Sequence, residues 1–189
     1  MPALSSNSRR TLIQIARRAL DEFVKTGRMV SANPEDGSLL EVRACFVTLR
    51  KKGILRGCVG TYKASRPLFE EVIQMTCAAA AEDFRFPQVR PEELEEIRIE
   101  ISVLSPLERI HSPDEIEIGR HGIFLKWRDR SGIFLPEVGR EMDWTAQELI
   151  EACAREKAGI PEKYGGEIEL FRFTTEKIQE GRERSEDLP

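Results

Sequence analysis

Leu39 to Tyr62 reads LLEVRACFVTLRKKGILRGCVGTY, and the architecture follows from how this stretch divides. Leu40, Val42, Ala44 and Phe46 alternate with Glu41, Arg43 and Cys45, the period of a strand with one covered face. The polar run RKKG interrupts that pattern and supplies a turn. The apolar ILRGCVG follows, so the segment is predicted to be a hairpin of two strands.

Outward from the hairpin, the periods change. SRRTLIQIARRALDEFVKTG puts Leu12, Ile15, Ala16, Ala19, Leu20 and Phe23 on one helical stripe, with Gly27 as its stop. Arg28 to Ser38 is expected to be a loop, broken by Pro34 and Gly37. After the hairpin, Pro67 opens a helix that Ser65 can cap. Leu68, Val72, Ile73, Thr76, Ala79 and Ala80 form its covered side, and Pro87 and Pro91 mark its end. IRIEISVLSP is a strand with Ile97, Ile99, Ile101 and Val103 on one face. EIEIGRHGIFLKWRDRSGIFLPEV reads as short strands with turns at GRHG and RDRSG. WTAQELIEACAREKAGIP is a helix with a Thr145/Glu148 capping box and Gly159 as its C-cap. GEIELFRFTTEKI reads as one last strand, and the charged tail 179–189 is expected to be mobile. The result is an α+β fold with largely antiparallel sheets flanked by helices. LRKKGILRGCVG and LKWRDRSGIFLPEV are both basic hairpins followed by a helix, which raises an internal duplication; chance is the other reading.

Composition narrows the function classes. The chain has 189 residues and a net charge of -4, with acids and bases interspersed. Such a balance argues against a dedicated nucleic-acid binder, which gathers basic residues on one surface. No apolar run approaches the ~20 residues of a membrane span. The opening MPALSSNSRR has no apolar stretch behind its charges, so the expected location is the cytoplasm. Charged residues make up 33%, above the roughly 25% of an average domain. Asparagine occurs only at Asn7 and Asn33. Both features suit a thermophile, and compositional drift gives the same bias. Cys45, Cys58, Cys77 and Cys153 form no CxxC pair, and the histidines are His111 and His121. That set does not spell a structural zinc site, and four reduced thiols are expected. There is no phosphate-binding glycine loop with its lysine and no GxSxG, and the sequence names no cofactor.

The chemistry concentrates at Cys58. It stands between Gly57 and Gly60, two residues after Arg56. The glycines permit positive φ or let a backbone or a ligand approach closely. In a regular strand Arg56 and Cys58 share a face. A guanidinium beside the sulfur would favour thiolate. The competing reading is plain packing, since free cysteine is among the most buried residue types and strand glycines often mark a bulge. Arg85, in the loop DFRFPQ, is a candidate to grip an acidic group through paired hydrogen bonds, or else a surface arginine paired with Asp83. His121 in GRHGIF is a candidate base for the thiol, or a solvated turn histidine. Glu100 is a candidate buried acid, or a solvated face residue.

The blocks LRGCVG, DFRFP, EISVLSPLERI, GRHGIFLK, SGIFLPEV and KAGIP occur in this order over Leu40 to Ile178. In this the chain resembles the AMMECR-type domain family. The resemblance implies a single domain over 1–189, with a core of about 8–178. It implies two unequal lobes with a groove between them, the larger built from the N- and C-terminal segments and the smaller from the middle. The LRGCVG segment would lie near the groove. The family has no assigned biochemical activity. Its prokaryotic members imply a pathway shared with Memo-like and radical-SAM proteins, an association rather than a physical warrant.

Three functions stay open. In an enzyme or pathway component, Cys58 is the reactive thiol, His121 or Glu100 moves protons, and Arg56 and Arg85 hold a small anionic substrate beside Gly57 and Gly60. In a binding or scaffold module, the arginines give affinity for a peptide, metabolite or protein, and Cys58 is merely small. In a weaker third reading the basic turns RKKG and RDRSG contact nucleic acid.

Overall fold

The stripe Leu12, Ala16, Ala19 and Leu20 is buried on α1 (Ser6–Thr26) in a computed structural model that describes residues 3–161 and 168–181. Ser5 caps α1 at its start. Gly27 ends it with φ +73°, and its N–H donates to the Phe23 carbonyl at 2.8 Å. The remaining elements are α2 (Gly37–Leu40), β1 (Cys45–Lys51), β2 (Ile54–Gly60), α3 (Leu68–Ala81), β3 (Ile97–Leu104) and β4 (Glu108–Ile110), then β5 (Gly122–Trp127), β6 (Arg130–Phe134), α4 (Pro136–Glu141), α5 (Ala146–Ala152), β7 (Glu169–Phe173) and β8 (Thr175–Gln179). One sheet runs β2-β1-β3-β8 and the other β4-β7-β5-β6. The pairs β1–β2, β1–β3, β4–β7, β5–β6 and β5–β7 are antiparallel. This is an α+β fold. The described residues divide into two compact units, after Val103 and again after Thr175.

In the first unit one sheet face lies on α1 and α3. Cys45, Val47 and Leu49 of β1 pair with Val103, Ile101 and Ile99 of β3, and all are fully buried. Each large aliphatic side chain removed from water contributes about 1.5–3 kcal/mol. This reverses the expected face of β1. Leu40 and Val42 are exposed, and Ala44 and Phe46 lie on the other side from the core. The reason is local. Asp36 caps α2, which draws Leu39 and Leu40 into a helical turn, so the strand starts only at Cys45. Within the strand proper Cys45, Val47 and Leu49 carry the apolar phase, and Phe46 is followed on the other by Thr48 and Arg50, so the face buried against α1 and α3 is the apolar one.

Other boundaries also move. Pro67, not Ser65, stands at the N-cap of α3 and gives no side-chain bond; the expected covered residues of α3 are all buried. The last strand is two, β7 and β8, which join different sheets. The tail begins later than expected. The Glu180 N–H donates to the Ile99 carbonyl at 2.9 Å, and Arg17 pairs with the Glu180 carboxylate at 2.5 Å. The rest of the tail, from 182, lies outside the described residues.

In the second unit Ile123, Leu125, Leu149 and Cys153 are fully buried at the core. Thr145 and Glu148 form the expected capping box, α5 widens into a π-turn over Cys153–Lys157, and Gly159 takes φ +58°. Both basic hairpins end on a sheet edge, β2 in one sheet and β6 in the other.

Candidate functional site

The site begins with a turn. Lys52 and Gly53 form a two-residue connection with φ +51° and +83°, the conformation whose twist matches that of the flanking strands. It returns the chain into β2, the sheet edge. Leu49 faces Gly57 and Arg50 faces Leu55, so Arg56 is the extra residue of a bulge. Beyond it Cys58 pairs with Thr48, and Thr48 pairs with Glu100 of β3. Cys58, Thr48 and Glu100 therefore form one row across three strands, on the face turned away from the α1–α3 core. The Thr48 hydroxyl donates to Cys58 Sγ at 3.2 Å.

An edge strand leaves backbone groups without a neighbour. At Cys58 an ion pair fills that role. The Cys58 N–H donates to Asp83 Oδ2 at 2.8 Å, and Arg85 Nη2 donates to the Cys58 carbonyl at 3.4 Å. Arg85 grips Asp83 with Nε at 2.8 Å and Nη2 at 2.7 Å. The Asp83 side chain is 4% exposed and that of Arg85 44%. The Arg85 hydrogen bond is the main reason the Asp83 carboxyl is held down at about 2, with the Cys58 and Arg85 N–H groups adding to it. Asp83 in turn raises Arg85. The Arg85 guanidinium lies 5.6 Å over the Phe86 ring, and Nη1 makes no hydrogen bond with a described residue. Arg85 is thus both the partner of Asp83 and a residue with a donor to spare.

Arg56 does not share the face of Cys58. It pairs with Glu93 through Nε at 3.0 Å and Nη2 at 2.9 Å, and donates to the carbonyls of Pro87 at 2.9 Å and Gln88 at 3.2 Å. Glu93 also accepts from Lys51 at 3.0 Å, and Lys51 is in phase with Leu49, not with Thr48. The bulge is the physical cause, because the inserted residue breaks the alternation that would have aligned Arg56 with Cys58. With side chains only 11% and 15% exposed, Arg56 and Glu93 lock the loop after α3 to β2. The Arg56 hydrogen bond holds Glu93 down at about 2.

Neither Gly57 nor Gly60 has positive φ. Their close approaches are made within the protein. A Cβ on Gly57 would lie 2.1 Å from the Ala79 carbonyl oxygen of α3, and one on Gly60 would lie 2.2 Å from the Phe46 ring.

Glu100 is buried but is not a raised acid. Burial pushes its carboxyl up, and hydrogen bonds from Arg50, at 2.5 Å, and Gln179, with the charges of Arg50 and Lys177, outweigh that and hold it below the ordinary range. His121 lies in the second unit, engaged with its own turn. Its Nδ1 accepts the Glu117 N–H at 3.0 Å, and its N–H donates to the Glu117 carbonyl. Burial, then the charges of Arg172 and Arg120, lower its basicity.

All four cysteines are free, and Cys58 is the one that is not buried. Burial pushes Cys77 up to about 11 and Cys153 up to about 12, and raises Cys45 further. Among the described residues no group of three or more His, Cys, Asp or Glu could hold a metal ion, and no helix is long and apolar enough to cross a membrane. Sequence reasoning did not find Thr48 or Glu93, and it weighed Asp83 only as a surface partner. Glu93 carried a signal, an acid three residues after Arg90 at a Pro-led turn, where it accepts the Arg90 N–H. Thr48 carried none, because its place opposite Cys58 depends on the hairpin register.

The cluster offers a partly exposed cysteine, a hydroxyl on its sulfur and, beside its peptide, a cation whose Nη1 bonds no described residue. Comparison with known proteins widens the view. A protein of Thermococcus gammatolerans is 39% identical over 184 residues, covering 89% of this chain and 88% of its own. Protein MK0488 of Methanopyrus kandleri is 37% identical over 193 residues, covering 94% and 92%. The crystal structure of the uncharacterized protein PH0010 from Pyrococcus horikoshii superposes with a TM-score of 0.84 at 33% identity, covering 90% of each chain. The AMMECR1 family model matches residues 13–178, a span that holds the hairpin, the Asp83–Arg85 loop and all eight strands up to Ile178. The chain belongs to the AMMECR1 family.

Proposed function

We propose that this protein is a cytosolic enzyme or pathway component that acts on a small anionic molecule, or an acidic group of a protein, at the edge of β2. Cys58 is the reacting thiol and Arg85 binds the acid. One observation carries the reading. The non-buried thiol has a hydroxyl on its sulfur, and its peptide is clasped by an arginine that keeps Nη1 unbonded to any described residue. Guanidinium N–H groups suit carboxylate and phosphate. Glu100, on the same row, is an ionised neighbour rather than a proton donor. The pathway partners of this reading are Memo-like and radical-SAM proteins, supported by the family resemblance alone.

The test is native alkylation of the full chain by iodoacetamide with peptide mapping. Cys58 is expected to be modified well ahead of Cys45, Cys77 and Cys153. Labelling of Cys58 no faster than the buried three would overturn the reading.

A second reading, a binding module without chemistry, is favoured by one feature. The hydrogen bond on the sulfur comes from the Thr48 hydroxyl, and no described carboxylate or imidazole bonds it. It predicts that Cys58→Ala preserves anion binding while Arg85→Ala weakens it by about 1–3 kcal/mol.

A further inference from the structure

The covered side of α3 carries an acid. Leu68 and Val72 are fully buried, and Glu71, between them on the same helical face, is buried with them at 4% exposure. A buried carboxylate oxygen ordinarily accepts a hydrogen bond. Glu71 Oε2 accepts none from any described residue. Arg66 Nε stands 3.8 Å from it, near enough for attraction and too far for a hydrogen bond. The bond that Arg66 does make goes elsewhere. Its Nη1 donates to Gln74 Oε1 at 2.8 Å, further along α3. The Arg66 side chain is 38% exposed, so it has room to move.

Among the described residues, the ionisable groups that interact with Glu71 are Arg66 from the loop 61–67, Glu70 from the same helix and the Cys45 thiol from β1. Burial raises the Glu71 carboxyl above its ordinary value. The Arg66 charge and the Ser65 N–H draw it down by less, and Glu70 adds to the rise. Burial, then the Glu71 charge, raises Cys45, so that thiol stays neutral.

A proton decides how this place is satisfied. Protonated, Glu71 has no charge to compensate, and the gap to Arg66 is tolerated. Ionised, it is a buried charge with one oxygen unbonded, and Arg66 is the cation that can reach it. Closing the 3.8 Å gap to the roughly 2.7–2.9 Å of a charge-assisted bond moves Arg66 inward by about 1 Å.

We infer that Glu71 and Arg66 form a proton-operated latch on the loop 61–67, open with Arg66 on Gln74 when Glu71 is protonated and closed on Glu71 Oε2 when it is ionised. Loss of the proton as pH rises closes it. The loop continues β2, the strand of Cys58, and the latch does not depend on the function proposed for that thiol.

The experiment is NMR of the isotopically labelled full chain across the acid and neutral range. It follows the Glu71 side-chain carboxyl carbon, the Arg66 Nε–H and the backbone amides of 61–66. Glu71 is expected to titrate above the ordinary glutamate range, and Arg66 Nε–H and the loop amides to shift with the same midpoint. Glu71→Gln keeps the shape and is expected to flatten both responses. If that variant loses its native spectrum, Arg66→Met decides the matter. With its cation removed the Glu71 midpoint is expected to rise, and the loop amides to lose their shift at that midpoint. A Glu71 midpoint within or below the ordinary range, an Arg66 Nε–H and loop amides that ignore it, responses that persist in Glu71→Gln, or a midpoint unmoved in Arg66→Met would overturn the proposal.

Discussion

The Cys58 N–H donates to Asp83 Oδ2 at 2.8 Å, so a buried carboxylate stands where a neighbouring strand would stand at the edge of β2. Removing it strands both the peptide N–H and the Arg85 guanidinium. Asp83→Ala is expected to lower unfolding stability by about 2–4 kcal/mol, with Asp83→Asn losing less because the amide oxygen still accepts. Urea denaturation measures both. A loss in Asp83→Ala no larger than that of an exposed surface substitution would show that the clasp contributes nothing.

The same carboxylate makes stability pH-dependent. Asp83 and Glu93 are held at about 2 in the folded chain, below the ~3.9 and ~4.3 of unfolded Asp and Glu. Their folded values are depressed, so their stabilisation is complete above those unfolded values and drains away as pH falls from about 4 towards 2. The urea midpoint should drop across that window, and more gently in Asp83→Asn. An unchanged slope in the variant would assign the titration to other groups.

Gly57 marks the closest contact between β2 and α3. Gly57→Ala places a Cβ against the Ala79 carbonyl, 2.1 Å away, where neither backbone can yield cheaply. A loss of about 1–3 kcal/mol or more is expected. Thermal unfolding of Gly57→Ala against Gly53→Ala, whose Cβ meets nothing within 4 Å but whose φ is +83°, separates the clash from backbone strain. A Gly57→Ala loss no larger than that of Gly53→Ala would show that the Ala79 backbone moves aside at little cost.

Thr48 donates a hydrogen bond to Cys58 Sγ, and that bond holds the sulfur in one orientation on the open face of the sheet. Thr48→Val keeps the shape and removes the donor. Iodoacetamide labelling of Cys58 at pH 7 is expected to slow by roughly two- to tenfold, with the fold unchanged. Equal rates in the two proteins would mean that the hydroxyl accepts from the thiol instead.

Elements whose signal is local are legible in the chain alone. The Leu12–Ala16–Ala19–Leu20 stripe, the Thr145/Glu148 capping box and the isoleucine alternation of β3 each repeat within a few residues, so period and caps suffice. Tertiary structure decided what depends on pairing. Within β1 the apolar alternation belongs to Cys45, Val47 and Leu49, but Leu40, Val42, Ala44 and Phe46 carry the opposite phase up to the strand, so the covered face turned on where the strand begins, which the α2 turn and its packing decide. The bulge at Arg56 moved it from Cys58 to Glu93, and the strand register put Thr48 on the thiol. Those contacts join residues far apart along the chain, and no local pattern encodes the partner across the sheet.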